Sequence, residues 1–116
     1  MRVVEKGRQE LKKGFTGRAA HQSSRSLEID PANPFGYFFQ GVARFKVGRF
    51  DQAANLFSRS SDLFGDLKIW SAESLAYRGE CFENLGKLEM AKKEFEQALD
   101  LDAGNSRARQ GYQRLR

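Results

Sequence analysis

Apolar residues recur along this chain at the spacing of amphipathic helices. The clearest run is NPFGYFFQGVARFKVGRFDQAANLF, residues 33–57. Asn33 is placed to cap a first helix, and Pro34 falls at its first position, where a missing N–H costs nothing. Gly48 interrupts the pattern, after which Phe50, Ala53, Ala54 and Phe57 return at helical spacing. The segment therefore predicts two short helices joined by a tight turn. The same grammar recurs: Gly41, Gly48, Ala53 and Phe57 reappear 38 residues later as Gly79, Gly86, Ala91 and Phe95. Gly7, Gly14 and Ala19 precede Gly41, Gly48 and Ala53 by 34 residues.

Taken in order, residues 1–33 predict the weakest helix pair. Val3, Val4, Gly7 and Leu11 mark one face of its first helix, and Ala19, Ala20, Ser23 and Leu27 mark the second, which Pro31 stops. Residues 34–67 repeat the pattern with more apolar mass and end near Gly65. Residues 68–71, KIWS, exceed the period and are read as a one-turn extension of the next helix, packing Trp70 on its neighbours. Residues 72–105 are the cleanest copy, with Leu75, Gly79, Phe82 and Leu85 on one helix and Leu88, Ala91, Phe95, Ala98 and Leu99 on the other. Asn105 then caps a last helix over 106–116, whose Arg- and Gln-rich face supplies the polar lid that stacked repeats require.

Composition fits this picture. A chain of 116 residues has room for one domain, and 40% hydrophobic with 30% charged residues suits a globular helical fold. Ten Phe residues in so short a chain need burial or a partner. The single Cys81 excludes an intramolecular disulfide. No apolar run approaches a membrane span and the N-terminus lacks the apolar core of a signal peptide, so the expectation is a cytoplasmic chain unless it is excised from a longer or exported one. The net charge of +5 sits in the first half of the chain and is read as solvated surface.

A 34-residue period of paired helices, with small residues at repeat positions 8 and 20 and an aromatic at 24, resembles the tetratricopeptide repeat family. Tyr37, Gly41, Ala53 and Phe57 carry the match in the second copy, Leu75, Gly79, Phe82, Ala91, Phe95 and Ala98 in the third, and Gly7, Ala19 and Pro31 in the first. The resemblance implies an all-α, right-handed α-solenoid: one domain over 1–116, with three helix-turn-helix repeats (about 1–33, 34–67 and 72–105), the insertion 68–71 and a C-terminal capping helix at 106–116. Positions 7 and 11 depart from the family pattern, with Lys6, Gln40 and Arg78 at the first and Glu10, Arg44 and Phe82 at the second; Phe39 and Tyr77 are placed to supply the missing bulk.

The chemistry of the chain argues against catalysis. His21 stands alone, Cys81 takes a small core position, and no second His or Cys completes a nucleophile–base pair or a metal cage, so neither metal nor cofactor is expected. Glu73, Glu80 and Glu83 share one helix face and are read as solvated. In the family, the first helices line a concave groove. Here that groove would receive Val4, Arg8 and Leu11 from the first repeat, Phe35, Phe38, Val42 and Phe45 from the second, and Glu73, Ala76, Glu80 and Glu83 from the third.

An apolar centre between a basic and an acidic end predicts a non-enzymatic scaffold that binds an apolar peptide or helix. The alternative is a structural module, with the Phe face covered by a second copy or by parts of a longer parent. Nucleic acid is disfavoured by the groove glutamates. Some family members clamp the acidic C-terminal tails of heat-shock chaperones with Lys and Asn side chains. The corresponding positions here hold Val4, Arg8, Phe39, Glu73 and Tyr77, so no such carboxylate clamp is expected.

Overall fold

A computed structural model describes residues 32–116. The first predicted repeat, with Val4, Arg8 and Leu11, lies outside the described residues. Five helices follow one another: α1 (Pro34–Lys46), α2 (Phe50–Phe64), α3 (Lys68–Asn84), α4 (Leu88–Leu101) and α5 (Ser106–Leu115), and the described residues contain no strand. Each of the first four packs on the next, and α5 closes against both α4 and α3. This is an all-α solenoid.

The local sequence sets the helix boundaries. The Asn33 side chain accepts a hydrogen bond from the Phe35 N–H at 2.9 Å, with Pro34 starting α1. Asn105 caps α5 in the same way, accepting from the Ala108 N–H at 2.8 Å. Two turns share one chemistry. Gly48 donates to the Phe45 carbonyl at 3.1 Å and Arg49 to Arg44 at 2.9 Å; 38 residues on, Gly86 donates to Glu83 at 3.1 Å and Lys87 to Phe82 at 2.8 Å. This pair of bonds closes a helix end with its last residue left-handed, and Gly48 and Gly86 have φ of 83° and 80°. The apolar segment KIWS forms the first turn of α3, which is 17 residues long against 13 for α1.

Packing between helices is governed by large rings set against absent side chains. Phe57 and Phe95 are fully buried, as are Ala53, Ala91 and Ala98. A Cβ on Gly41 would lie 2.9 Å from Phe57 Cε1, and one on Gly79 would lie 2.6 Å from Phe95 Cε1. Phe95 is also pressed by Gly111 of α5, where a Cβ would collide with the ring. One phenyl ring therefore fixes the spacing of α3, α4 and α5. At the α2–α3 seam small polar residues pack beside the stacked rings. The Ser60 hydroxyl donates to the Phe57 carbonyl at 3.0 Å and lies 2.9 Å from Ser74 Oγ, while Ser71 donates to the Ser61 carbonyl at 3.1 Å.

The departures from the repeat pattern resolve differently. Tyr77 does supply bulk, stacking on Phe57 at 4.9 Å between ring centres. Phe39 does not; it remains 49% exposed. Arg78 lies over the Phe82 ring at 5.0 Å and pairs with Glu94 at 3.0 Å on a half-buried face. Burial outweighs the attraction of Arg78 and raises the Glu94 pKa above the ordinary glutamate range.

Two predictions follow from this packing. Alanine is favoured over glycine inside a helix by about 1 kcal/mol, yet Gly79→Ala and Gly111→Ala should each lower the melting temperature, because the new methyl meets Phe95. Gly104→Ala, whose nearest neighbour would be Asp102 Oδ1 at 3.5 Å, should be nearly neutral. A rise in melting temperature for the first two variants would refute the close approach. The second concerns pH. A raised carboxyl pKa means the native state holds a proton that the unfolded chain has lost, so this contribution to stability falls as pH rises through that window. The stability of Glu94→Gln relative to the parent, read from urea unfolding between roughly pH 4 and 7, should therefore improve with rising pH. A constant difference would show that Glu94 titrates normally.

Candidate peptide-binding groove

The groove face is built by α1 and α3, and its aromatic residues are more deeply engaged than a helix stripe alone suggests. Phe35 meets Phe64 and Trp70 edge-on at 4.9 and 5.0 Å, and Phe45 meets Phe50 and Tyr77 at 5.4 and 5.5 Å. Phe35, Val42 and Phe45 are partly buried against the core. Two expected contact residues are not available as exposed anchors. Phe38 is 5% exposed, with Phe57, Phe64, Trp70 and Tyr77 all edge-on to it within 6.3 Å, and Ala76 is 0% exposed. The physical reason lies on the facing helix: α3 carries Trp70 and Tyr77 across the α1 stripe and buries its centre.

Between these helices lies a cavity of about 310 Å³, lined by Phe38, Phe39, Ile69, Trp70, Glu73 and Tyr77. Phe38 forms the buried part, while Phe39, Ile69 and Trp70 are 49%, 69% and 37% exposed. Trp70 is held by stacking on Phe64 at 5.7 Å. Of the six lining residues only Phe38 and Glu73 were expected from groove positions. Ile69 and Trp70 were signalled by their unusual apolarity in a short connection, and Phe39 by its place beside Phe38.

The acidic end of the groove is also not what the pattern predicts. Glu73, Glu80 and Glu83 are each paired with α5 rather than solvated. Arg107 Nη1 lies 3.1 Å from Glu80 Oε2 and Nε lies 3.4 Å from Glu73 Oε2, while the Asn105 amide donates to Glu73 Oε1 at 2.8 Å. Arg107 also donates to the Tyr77 hydroxyl at 3.1 Å, with its guanidinium 3.8 Å from the ring centre. Arg114 grips Glu83 with two bonds of 2.8 and 2.9 Å. The signal was present as two matched stripes: Arg107 and Arg114 stand seven residues apart, as do Glu73 and Glu80.

Electrostatics follows from these contacts. Burial raises the Tyr77 pKa, with Arg107 opposing. For Arg107 burial works downward, but Tyr77, Glu80 and Glu73 outweigh it and raise its pKa, so it stays charged. Burial pushes the Cys81 thiol up to about 12, which leaves an inert core group. Among the described residues no group of three His, Cys, Asp or Glu is arranged to hold a metal ion, and no helix is long and apolar enough to cross a membrane.

This arrangement agrees with known proteins. The family model of the tetratricopeptide repeat matches residues 72–105. The fold is similar to the second TPR domain of human RPAP3, solved with the HSP70 peptide SGPTIEEVD: TM-score 0.80, 27% identity, covering 97% of this chain and 90% of that one. It is similar to the first TPR of Spaghetti (RPAP3), bound to the HSP90 peptide SRMEEVD: TM-score 0.80, 26% identity, covering 96% and 85%. The Arabidopsis OM64 TPR domain shares the fold at TM-score 0.81 and 23% identity, covering 97% and 89%. No curated protein sequence matches significantly. Residues 72–105 thus match the tetratricopeptide repeat, and the chain shares the fold of TPR domains, which are non-enzymatic protein-interaction modules.

The burial of Phe38 yields a direct test. Phe38→Ala should lower folding stability by about 3–5 kcal/mol in urea unfolding. Ile69→Ala, at the exposed rim, should change it by no more than about 0.5 kcal/mol. Equal, small effects of the two would show that Phe38 lies on the surface.

Proposed function

We propose that this scaffold holds an apolar segment of another polypeptide in the groove between α1 and α3. The observation that carries the reading is the cavity of about 310 Å³, where Phe39, Ile69 and Trp70 stay exposed around a buried phenyl ring. Exposed aromatics gathered on a concave face are what anchors of a partner need, since burying them on binding releases water from both surfaces.

The two RPAP3 domains were solved with peptides ending in Glu-Glu-Val-Asp. A tail of that kind needs cations, and the family's clamp positions in this chain include Phe39, Glu73 and Tyr77. The Glu73 carboxylate would repel an anionic terminus, and Arg107 beside it is already engaged by Glu73 and Glu80. These features support an apolar anchor in place of a carboxylate clamp.

A library of displayed peptides, selected on the isolated chain, tests the reading. Selected segments should share a large apolar residue. Phe39→Glu and Ile69→Glu should each weaken them about 30-fold, the scale of one lost anchor, while the melting temperature stays unchanged. Synthetic SGPTIEEVD and SRMEEVD should bind no better than scrambled controls. Tight binding of those tails with no selection of apolar segments would overturn the proposal. A concentration-dependent mass that Ile69→Glu abolishes would favour instead a second copy of the chain on the same face.

A further inference from the structure

The chemistry of the cavity wall narrows the occupant, on the assumption that the groove reading above is right. Four of the six lining residues carry no charge and no hydrogen-bonding atom that needs satisfying: Phe38, Phe39, Ile69 and the face of Trp70. The side-chain polarity comes from Glu73, Tyr77 and the Trp70 indole N–H. Glu73 accepts one bond at each carboxylate oxygen, from Asn105 and from Arg107. Each such oxygen has two acceptor positions, so the carboxylate can take another donor. Its charge, however, is already shared with Arg107, whose single positive charge is divided between Glu73 and Glu80 beside the Tyr77 ring.

This arrangement sorts the possible occupants. An anionic side chain would approach Glu73 with Glu80 behind it. A cationic one would have to compete at Glu73 with the Arg107 guanidinium, which already lies 3.4 Å from that carboxylate. An aliphatic side chain would meet neither charge, but would strip water from the Glu73 carboxylate without returning a hydrogen bond. A neutral aromatic group with a donor at its edge satisfies all three conditions. It can meet Phe39 and Trp70 edge-to-face as the native rings here meet one another, and give its N–H to Glu73.

We propose that the cavity receives the indole of a tryptophan from the partner segment, with its N–H donated to the Glu73 carboxylate. A cavity of about 310 Å³ is at the small end of ligand sites and has room for one such side chain.

The experiment titrates N-acetyl-tryptophan amide, its 1-methylindole analogue, N-acetyl-leucine amide and N-acetyl-arginine amide into the ¹⁵N-labelled full chain, followed by NMR. The tryptophan amide should shift Phe39, Ile69, Trp70 and Glu73 amides saturably. It should bind about five-fold tighter than the 1-methyl analogue, the ratio one ordinary hydrogen bond supplies. In Glu73→Ala that ratio should fall to one; Glu73→Gln, which keeps an acceptor, should preserve part of it and guards against a variant that merely loosens α5. Equal affinity for the tryptophan and leucine amides, or tightest binding of the arginine amide, overturns the proposal and leaves the groove reading standing. If the selected peptides of the preceding test bind without shifting these cavity amides, both fail.

Discussion

Every other feature of this fold depends on the absence of side chains opposite two phenyl rings. Phe57 fills the gap opposite Gly41, and Phe95 fills the gap bounded by Gly79 and Gly111. Because those rings are incompressible and fully enclosed, the distance between helix axes is set by ring width rather than by the many partly exposed contacts around it. Tyr77 extends the constraint to the groove, since it stacks on Phe57 and so takes its position from the inner layer. The groove wall is thus an outward projection of the core.

The candidate site arises where the period is broken. Had α3 begun at Ala72, as α1 begins at Pro34, the cavity wall beside Phe38 and Phe39 would lack Ile69 and Trp70. The four added residues carry Ile69 and Trp70 to that place, and Trp70 is fixed there by Phe64 and Phe35. A rigid aromatic held by packing loses little freedom when a partner covers it, which favours binding at that spot over a mobile loop of equal apolarity.

Much of this was legible in the sequence, and the failures have a common cause. The helix pairs, the caps at Asn33 and Asn105, the turns at Gly48 and Gly86, and the Gly–Phe lattice depend on local pattern or on contacts that recur with the period. Phe38 and Ala76 were misplaced because periodic position fixes which way a side chain points, while its burial depends on what the next helix brings over it. Phe39 and Tyr77 hold the same repeat position, yet one is exposed and the other stacked, because only Tyr77 has Phe57 and Arg107 on either side of it. The glutamates read as solvated for the same reason: their partners lie on α5, some 30 residues away in sequence.

That pairing joins two roles that a repeat protein could keep apart. Glu73 and Tyr77 belong to the cavity, and Arg107 and Asn105 belong to the terminal helix, yet one set of hydrogen bonds links them. A half-buried guanidinium with two carboxylates gains little net stability, since desolvation offsets much of the attraction. Its effect is geometric. With Arg107 engaged on Glu73, Glu80 and the Tyr77 ring at once, α5 can dock in one register only, and the Glu73 carboxylate is held at one angle to the cavity. Phe95 positions α5 by shape and Arg107 positions it by charge, so the polar wall of the groove is set by the helix that closes the solenoid.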